Sequence, residues 1–362
     1  MHLMDVLALR PVPAAALFLA LTRRCPLSCA HCSTNSMLTS EEHPGDMYLR
    51  FVETFTPDDH PEVILMSGGE ALLRPRLVRD LAESARAVGC SSQVLSGMFF
   101  ARNGRRIPRP LVQAIEAVDH FSASLDAFHE REVSRTQVFR ALDEVLSLGK
   151  DVSLHLVGLG DDDPYIEGLV ADVRRRFDDR VPVLVGRVGA TGRARDWLEE
   201  EPTAPSHAVA ADPCAIANWP LVAFDGTIVA CCNQDVVDRR PVPAHLRLGH
   251  AAEDDWPAIR AAYVRSTLLR GVRLFGPQYL ADRFGDRPAC DGYCETCFGL
   301  PDEEALERRV AEVLARSTTE LLEQQVAGLQ REAGPLAYAR RFGVARYADL
   351  IALGYEEREC VA

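Results

Sequence analysis

Three cysteines within eight residues constrain this chain more than any other feature. They stand in Arg24-Cys25-Pro26-Leu27-Ser28-Cys29-Ala30-His31-Cys32, a C-x3-C-x2-C run. Thiols at that density point to metal ligation in a reducing compartment rather than to a disulfide framework. A [4Fe–4S] cluster held only by protein takes four thiolates. Three are present and no neighbouring cysteine offers a fourth, so one iron would stay open to a small molecule. The alternative is a zinc site of three thiolates and the His31 imidazole. Zinc sites usually draw on two separated pairs, and His31 adjoins Cys32, which makes joint chelation of one ion awkward.

The rest of the composition narrows the class. The chain has 362 residues, 47% of them hydrophobic, enough for one large domain and a smaller one. Forty Lys and Arg against 53 Asp and Glu give a net charge of −13. No basic stripe of the kind that binds nucleic acid is present, so no nucleic-acid partner is expected. The apolar run Ala14 to Leu21 is too short to span a membrane. It lacks the basic flank of a secretory signal and leads straight into the cysteines, so it reads as a buried strand. A cytoplasmic protein with no membrane partner is expected.

Apolar β-type runs alternate with helical patterns, the signature of a parallel sheet with crossover helices. Strands are expected at Leu17–Leu21, Val63–Met66, Gln93–Leu95, His120–Leu125, Val152–Gly158 and Val181–Val185. Helices are expected at Ser40–Thr54, Arg74–Val88, Arg109–Val118, Ser134–Leu148 and Asp163–Phe177, several closed by a glycine such as Gly89 or Gly149. Beyond an acidic, proline-broken stretch at Glu199–Pro205, Trp219–Phe224 and Thr227–Ala230 read as a hairpin around Asp225-Gly226. Shorter helices follow near Trp256–Leu269 and Pro277–Arg283, then two longer ones at about Glu303–Leu329 and Pro335–Leu353. In the first of these, Leu306, Val310, Val313 and Leu321 are expected to cover the core. Periodicity alone establishes an α/β fold and no more.

Three motifs fall at the C-terminal ends of expected strands, where parallel barrels gather their chemistry. Cys25–Cys32 follows strand one, Ser67-Gly68-Gly69-Glu70 follows strand two, and Ser124-Leu125-Asp126 ends strand four. Together they resemble the radical S-adenosylmethionine (SAM) superfamily. The resemblance implies a partial (β/α)6 TIM-like barrel. It further implies a cluster on Cys25, Cys29 and Cys32 whose open iron chelates the methionine end of SAM. One electron splits the C5′–S bond, and the 5′-deoxyadenosyl radical then takes a hydrogen atom from substrate. An external electron donor such as flavodoxin or ferredoxin is implied with it.

The resemblance also implies residue roles. Gly68 and Gly69 would let backbone approach the ligand, and Glu70 would face the SAM amino group. Ser124 and Asp126, alternating on one strand face, would meet the ribose. His31 stands where the family sets an aromatic ring against adenine, and the backbone of Val157 and Gly158 would lie beside it. Gly189–Arg193 resembles a Gly-Arg-Ala stretch of cluster-extended members. From residue chemistry alone, His129 and Glu130 form a titratable pair at the barrel mouth, suited to acid–base work or substrate contact. His155 on strand five faces either the core or a substrate.

A second cysteine set follows. Cys214 precedes Gly226, four residues lead from there to Cys231, and Cys294 and Cys297 form a C-x2-C knuckle just after Cys290. The arrangement resembles the SPASM domain or its shorter relative Twitch. The longer SPASM run is missing, so one auxiliary [4Fe–4S] cluster on Cys214, Cys231, Cys294 and Cys297 is implied. A four-cysteine zinc ribbon is the other reading of these residues. Cys290 and Cys232 are left over, each beside an implied ligand, and Cys290 could take the place of Cys294 or Cys297, since a C-x3-C spacing also bridges a cubane. A thiol has a weak S–H bond, so either is a candidate hydrogen-atom donor. Cys90 and Cys360 have no informative spacing.

The expected organisation is therefore a barrel at residues 1–200, a Twitch-type domain at 201–300 and a helical extension at 301–362. The expected activity is hydrogen abstraction from an unactivated C–H bond. The cluster motif begins at residue 25, without a preceding peptide-recognition domain, and the auxiliary cluster is single. Both lean toward dehydrogenation or epimerisation of a small metabolite such as a sugar, cyclitol or aminoglycoside. The alternatives are modification of a ribosomally made peptide and, from another class, a zinc-bound structural or interaction protein.

Overall fold

Six apolar runs become six parallel strands, buried on both faces as strands flanked by crossover helices must be. They are β1 (Ala16–Ala20), β2 (Val63–Ser67), β3 (Ser91–Ser96), β4 (His120–Ser124), β5 (Asp151–Gly158) and β6 (Val183–Arg187). Each pairs in parallel with the next, from Ala16 opposite Val63 to Gly158 opposite Arg187. The computed structural model describes residues 1–198, 210–286, 292–302 and 304–356.

Helices return the chain between strands. After α1 (Leu3–Ala8) come α2 (Asp46–Val52), α3 (Pro75–Ala87), α4 (Arg109–Ala117), α5 (Ala127–Glu130), α6 (Arg135–Ser147) and α7 (Pro164–Phe177). In α3, Val78, Leu81, Ala82 and Ala85 recur at the i, i+3, i+4, i+7 spacing and are all fully buried. A Ser134–Gln137 capping box starts α6, and Asp163 with Pro164 starts α7. Helix α2 is shorter than expected because Pro44 and Gly45 stand before it, and a proline keeps its predecessor out of helical conformation. The result is a partial TIM-like barrel.

The expected hairpin is present as β7 (Leu221–Val222) and β8 (Thr227–Val229), turning at Gly226 with φ +89°. It does not stand apart from the barrel. β7 pairs in parallel with the free edge of β1, and β9 (Arg247–His250) adds to β8. A single sheet of nine strands runs β6-β5-β4-β3-β2-β1-β7-β8-β9. An unpaired strand edge offers a row of N–H and C=O groups, which β7 satisfies.

Helices α8 (Gln234–Asp238), α9 (Trp256–Arg265), α10 (Thr267–Phe275), α11 (Pro277–Phe284), α12 (Tyr293–Gly299) and α13 (Glu304–Leu314) follow. Leu268, Val272, Leu280, Leu306 and Val310 form a second core among them. The C-terminal helices break elsewhere than expected. α13 ends at Leu314, and α14 (Ser317–Phe342) carries its kink at Gly334, φ +71°, immediately before Pro335. The segment Ala345–Ala352 winds as a 3₁₀ helix. Leu306 and Val310 are buried as expected, but Leu321 is 65% exposed, because the break at Ala315–Arg316 ends the face it was counted on.

The sequence pattern gave no sign of α1, a short helix held by a His2–Asp5 capping box. Its Leu3 and Leu7 pack with Ala339, Ala348 and Ile351. Met1 reaches Asp151 and His120 at the starts of β5 and β4, so α1 closes the barrel floor. The C-terminal segment covers the β6 edge, where the Val344 N–H donates to the Val185 carbonyl at 2.8 Å. Among the described residues no helix is long and apolar enough to cross a membrane.

Candidate functional site

The loop after β1 brings Cys25, Cys29 and Cys32 to the wall of a cavity of about 600 Å³ lined by the barrel strands and the segments around them. Two neighbouring loops hold it in place. From the β2 end, the Gly69 N–H donates to Thr22 O at 2.6 Å and the Glu70 N–H to Arg24 O at 2.9 Å. From the β6 end, Arg193 donates through Nε to Cys29 O at 2.9 Å and through Nη1 to Ser36 O at 2.8 Å. The Arg193 N–H also donates to Cys32 O at 3.0 Å.

The glycines allow these approaches. A Cβ on Gly68, whose φ is +128°, would lie 2.4 Å from Thr22 O, and one on Gly69 2.5 Å from Arg24 O. One on Gly192 would lie 2.2 Å from Cys32 O. The Gly-Gly pair therefore makes room first for the backbone of the cysteine loop, although both glycines also border the cavity.

The thiols suit a cationic centre. Burial pushes the Cys25 thiol up to about 12, with the negative charges of Glu70 and the other two cysteines adding to it. Such a thiolate needs positive charge beside it, which bound iron or zinc supplies. Spacing separates the two metals. Four thiolates on one zinc at about 2.3 Å would sit about 3.8 Å apart. Among the described residues no three cysteine sulfurs come within 4.8 Å of one another. Three thiols on one loop are the donor type that an iron–sulfur cluster takes.

Beside the loop, His31, Asp126 and His129 do come together within that distance. Asp126 caps α5, accepting from the Phe128 and His129 N–H groups. The His129 ring donates from Nδ1 to Asp126 at 2.9 Å, and His31 Nε2 lies 3.5 Å from the same oxygen. Burial alone would lower the His129 pKa. Hydrogen bonds with Asp126 and Cys29 outweigh it and raise the imidazole to about 10. His31 goes the other way, to about 4, through burial. Its ring stacks on Phe128 at 4.5 Å.

Residues 19–173 match the family described as the Radical SAM superfamily. The barrel belongs to the radical SAM superfamily. No curated protein sequence matches the chain. Among solved structures, Streptococcus suis SuiB bound to precursor peptide SuiA is similar at TM-score 0.54 and 14% identity, over 82% of this chain and 74% of that one. SuiB bound to S-adenosylmethionine is similar at TM-score 0.52 and 14% identity, over 82% and 76%. At that identity the likeness is one of fold.

Within the radical SAM barrel, His31, Gly68, Gly69, Ser124, His129 and Val157 border the cavity with the three cysteines. Four other expected residues do not. Glu70 is 1% exposed and turned to the β3 end, accepting from Leu72 N, Ser96 Oγ and Gly97 N. Burial raises its pKa to about 7 against those bonds. β4 stops at Ser124, so Asp126 shares no strand face with it and its carboxylate serves the α5 cap and the two imidazoles. Glu130 is drawn off to Arg135 and Tyr165, so it forms no pair with His129 at the mouth. A Cβ on Gly158 would meet the Ile166 side chain at 2.8 Å, which makes it a contact with α7. Sequence reading gave Arg193 no role, since nothing in its local pattern shows which carbonyls it reaches.

The second cysteine set gathers beyond β8. The charges of Cys214, Cys232 and Cys297 all bear on Cys231, and that of Cys214 on Cys294 and Cys297. Asn233 Nδ2 donates to Cys294 Sγ at 3.2 Å, and His245 Nε2 lies 3.5 Å from Cys297 Sγ. Neither polar neighbour was foreseen. Cys231 is buried, while the adjacent Cys232 borders the barrel cavity. Cys290 lies outside the described residues.

Proposed function

We propose that this chain reductively cleaves SAM and abstracts hydrogen from a small metabolite bound in the barrel. The observation that carries the reading is that Cys25, Cys29, Cys32 and Ser124 border one cavity at the C-terminal ends of parallel strands. In this reading Cys25, Cys29 and Cys32 hold a [4Fe–4S] cluster, and Cys214, Cys231, Cys294 and Cys297 hold an auxiliary one in a Twitch-type region at 201–300. When bound, the first cluster and SAM supply a 5′-deoxyadenosyl radical. The protein holds the ligand, fixes the cysteine loop through Gly69 and Arg193, and keeps water out. Gly68, Gly69, Ser124, His31 and the Val157 backbone are the candidate SAM contacts.

A cavity of about 600 Å³ shared by SAM and substrate favours a small substrate. Cys232 on its wall supports epimerisation, with that thiol returning a hydrogen atom. The oxidative alternative passes the substrate electron to the auxiliary cluster. A peptide side chain entering the mouth is the second reading, favoured by the fold likeness to SuiB, which was solved with a precursor peptide. Reduced protein with SAM should release 5′-deoxyadenosine, and Cys29→Ala should abolish it. Absence of cleavage by the fully reconstituted protein would overturn the reading. With a substrate in hand, deuterium from solvent at the attacked carbon, lost in Cys232→Ala, marks the epimerase. A product two hydrogens lighter marks the dehydrogenase.

A further inference from the structure

Four arginines border the barrel cavity: Arg10, Arg23, Arg187 and Arg193. Three are committed. Arg23 pairs with Glu41 and Asp238, Arg187 with Asp161, and Arg193 with the cysteine loop. Arg10 has no carboxylate partner among the described residues. Its guanidinium lies 3.8 Å over the Trp219 ring, with Tyr338 at 5.1 Å and Phe18 at 5.6 Å. The rings hold the cation in place through their π faces. They do not satisfy its N–H groups, and Nε and Nη1 are buried with no acceptor among the described residues. An unmet buried donor is costly, more so when charged.

A second set of unmet groups shares the same cavity. Gln93, 6% exposed, donates from Nε2 to Ser122 Oγ at 2.6 Å. Ser122 bonds Ser153 at 2.8 Å, and Ser153 bonds His120 Nε2 at 2.8 Å. His120 donates from Nδ1 to Met1 O at 2.9 Å. This chain of bonds runs one way and fixes the Gln93 amide, so its Oε1 is an acceptor without a donor among the described residues. His155 Nε2 is also buried without a partner among the described residues, and its ring feels the Arg10 charge.

We propose that Arg10, with Gln93 and His155, forms a binding site at the barrel floor for a carboxylate of the substrate. The inference rests on the radical SAM reading above and adds the substrate's charge to it. Arg10 offers N–H donors in the fork that matches a carboxylate. Gln93 Oε1 accepts from a hydroxyl or amine next to that group. The carboxylate belongs either to a sugar-acid-like metabolite or to an acidic peptide side chain.

The test is binding to the reconstituted full-length protein without SAM or reductant, so that it stands apart from SAM cleavage. The probes are glucuronate against glucose, and N-acetyl-Ala-Glu-Ala-amide against its Gln counterpart. Calorimetry and tryptophan fluorescence read the result, since Trp219 lies under Arg10. Saturable binding of an acidic probe is expected, at least tenfold tighter than its neutral partner. Arg10→Gln should lose that preference and Arg10→Lys keep part of it. Gln93→Glu, which places a carboxylate on the same floor, should abolish it with Arg10 intact. Preference for glucuronate or for the peptide identifies the source. No binding of either acid, or equal binding by Arg10→Gln, overturns the proposal. So does a lowered auxiliary-cluster potential in Arg10→Gln with acid binding unchanged, which would make the cluster the counter-charge of Arg10.

Discussion

The Arg193 guanidinium donates through Nε to the carbonyl oxygen of Cys29 at 2.9 Å, joining two loops 164 residues apart. The same side chain reaches Ser36 O, and its own N–H reaches Cys32 O. One residue after β6 thus sets the backbone path of a loop after β1. Three donors converge on a segment with no regular secondary structure.

Arg193→Ala should loosen that loop. Hydrogen bonds from a charged donor are each worth about 1.5–3 kcal/mol. The variant is expected to lose iron faster on dilution or chelator challenge and to melt at lower temperature. Arg193→Lys, with one compact donor head, should restore little. Iron content per chain after gel filtration checks this, and full retention by the alanine variant would remove Arg193 from the loop's support.

Gly192→Ala places a methyl where the Cys32 carbonyl oxygen already lies 2.2 Å away, at a φ of +52°. Overpacking of this kind costs about 1–3 kcal/mol, and the backbone strain adds to it. Gly160→Ala, with open space around it, is the control and should change stability by less than about 0.5 kcal/mol. Paired denaturant melts of the two variants decide.

Anaerobic reconstitution should load about eight irons per chain, four for each cubane. Replacing Cys25, Cys29 and Cys32 together should leave about four. Replacing Cys294 should remove the other signal in electron paramagnetic resonance. Stoichiometric zinc, with no charge-transfer absorption, would instead assign the cysteines to zinc.

Stability should fall in mild acid. Burial holds His120 neutral, its pKa lowered to about 4. An unfolded His takes up a proton near 6.5, so acid favours the unfolded chain. The stabilisation is complete above about pH 6.5 and is lost as pH falls toward 4. For one such histidine it is on the order of 3 kcal/mol. His120→Gln should cost stability at pH 7.5 and flatten part of the decline between pH 6.5 and 4. His31, His155 and His245, also lowered to about 4, keep the rest of the slope. Parallel curves for wild type and variant would take His120 out of the effect.

What could be read in the sequence was local. The cysteine spacing, the strand–helix alternation and the Asp225-Gly226 turn depend on neighbours a few residues apart, and the structure carries all three. Helix ends marked by proline or a cap, as at Pro75, Ser134 and Pro164, fell within a residue of expectation. Side-chain destinations did not follow. Glu70 and Asp126 looked like ligand contacts by position, but Asp126 is taken by the N–H groups of the turn after its own strand, and Glu70 by Leu72 N–H and by Ser96 and Gly97 at the end of β3.

The order of the strands and helices could be read along the chain, because strand and helix periodicity is local, and the cysteine spacing carried a resemblance to the family that residues 19–173 match. Tertiary structure alone decided that the hairpin would extend the barrel sheet. Nothing local to Leu221 shows that the free edge of β1 lies beside it. It also decided that Gly192 and Arg193 would brace the cysteines and that Arg10 would rest on Trp219, with no carboxylate partner among the described residues. Those relations join residues 150 or more positions apart. They follow from assembly of the partial barrel, which brings the ends of different strands together and leaves polar groups facing one interior.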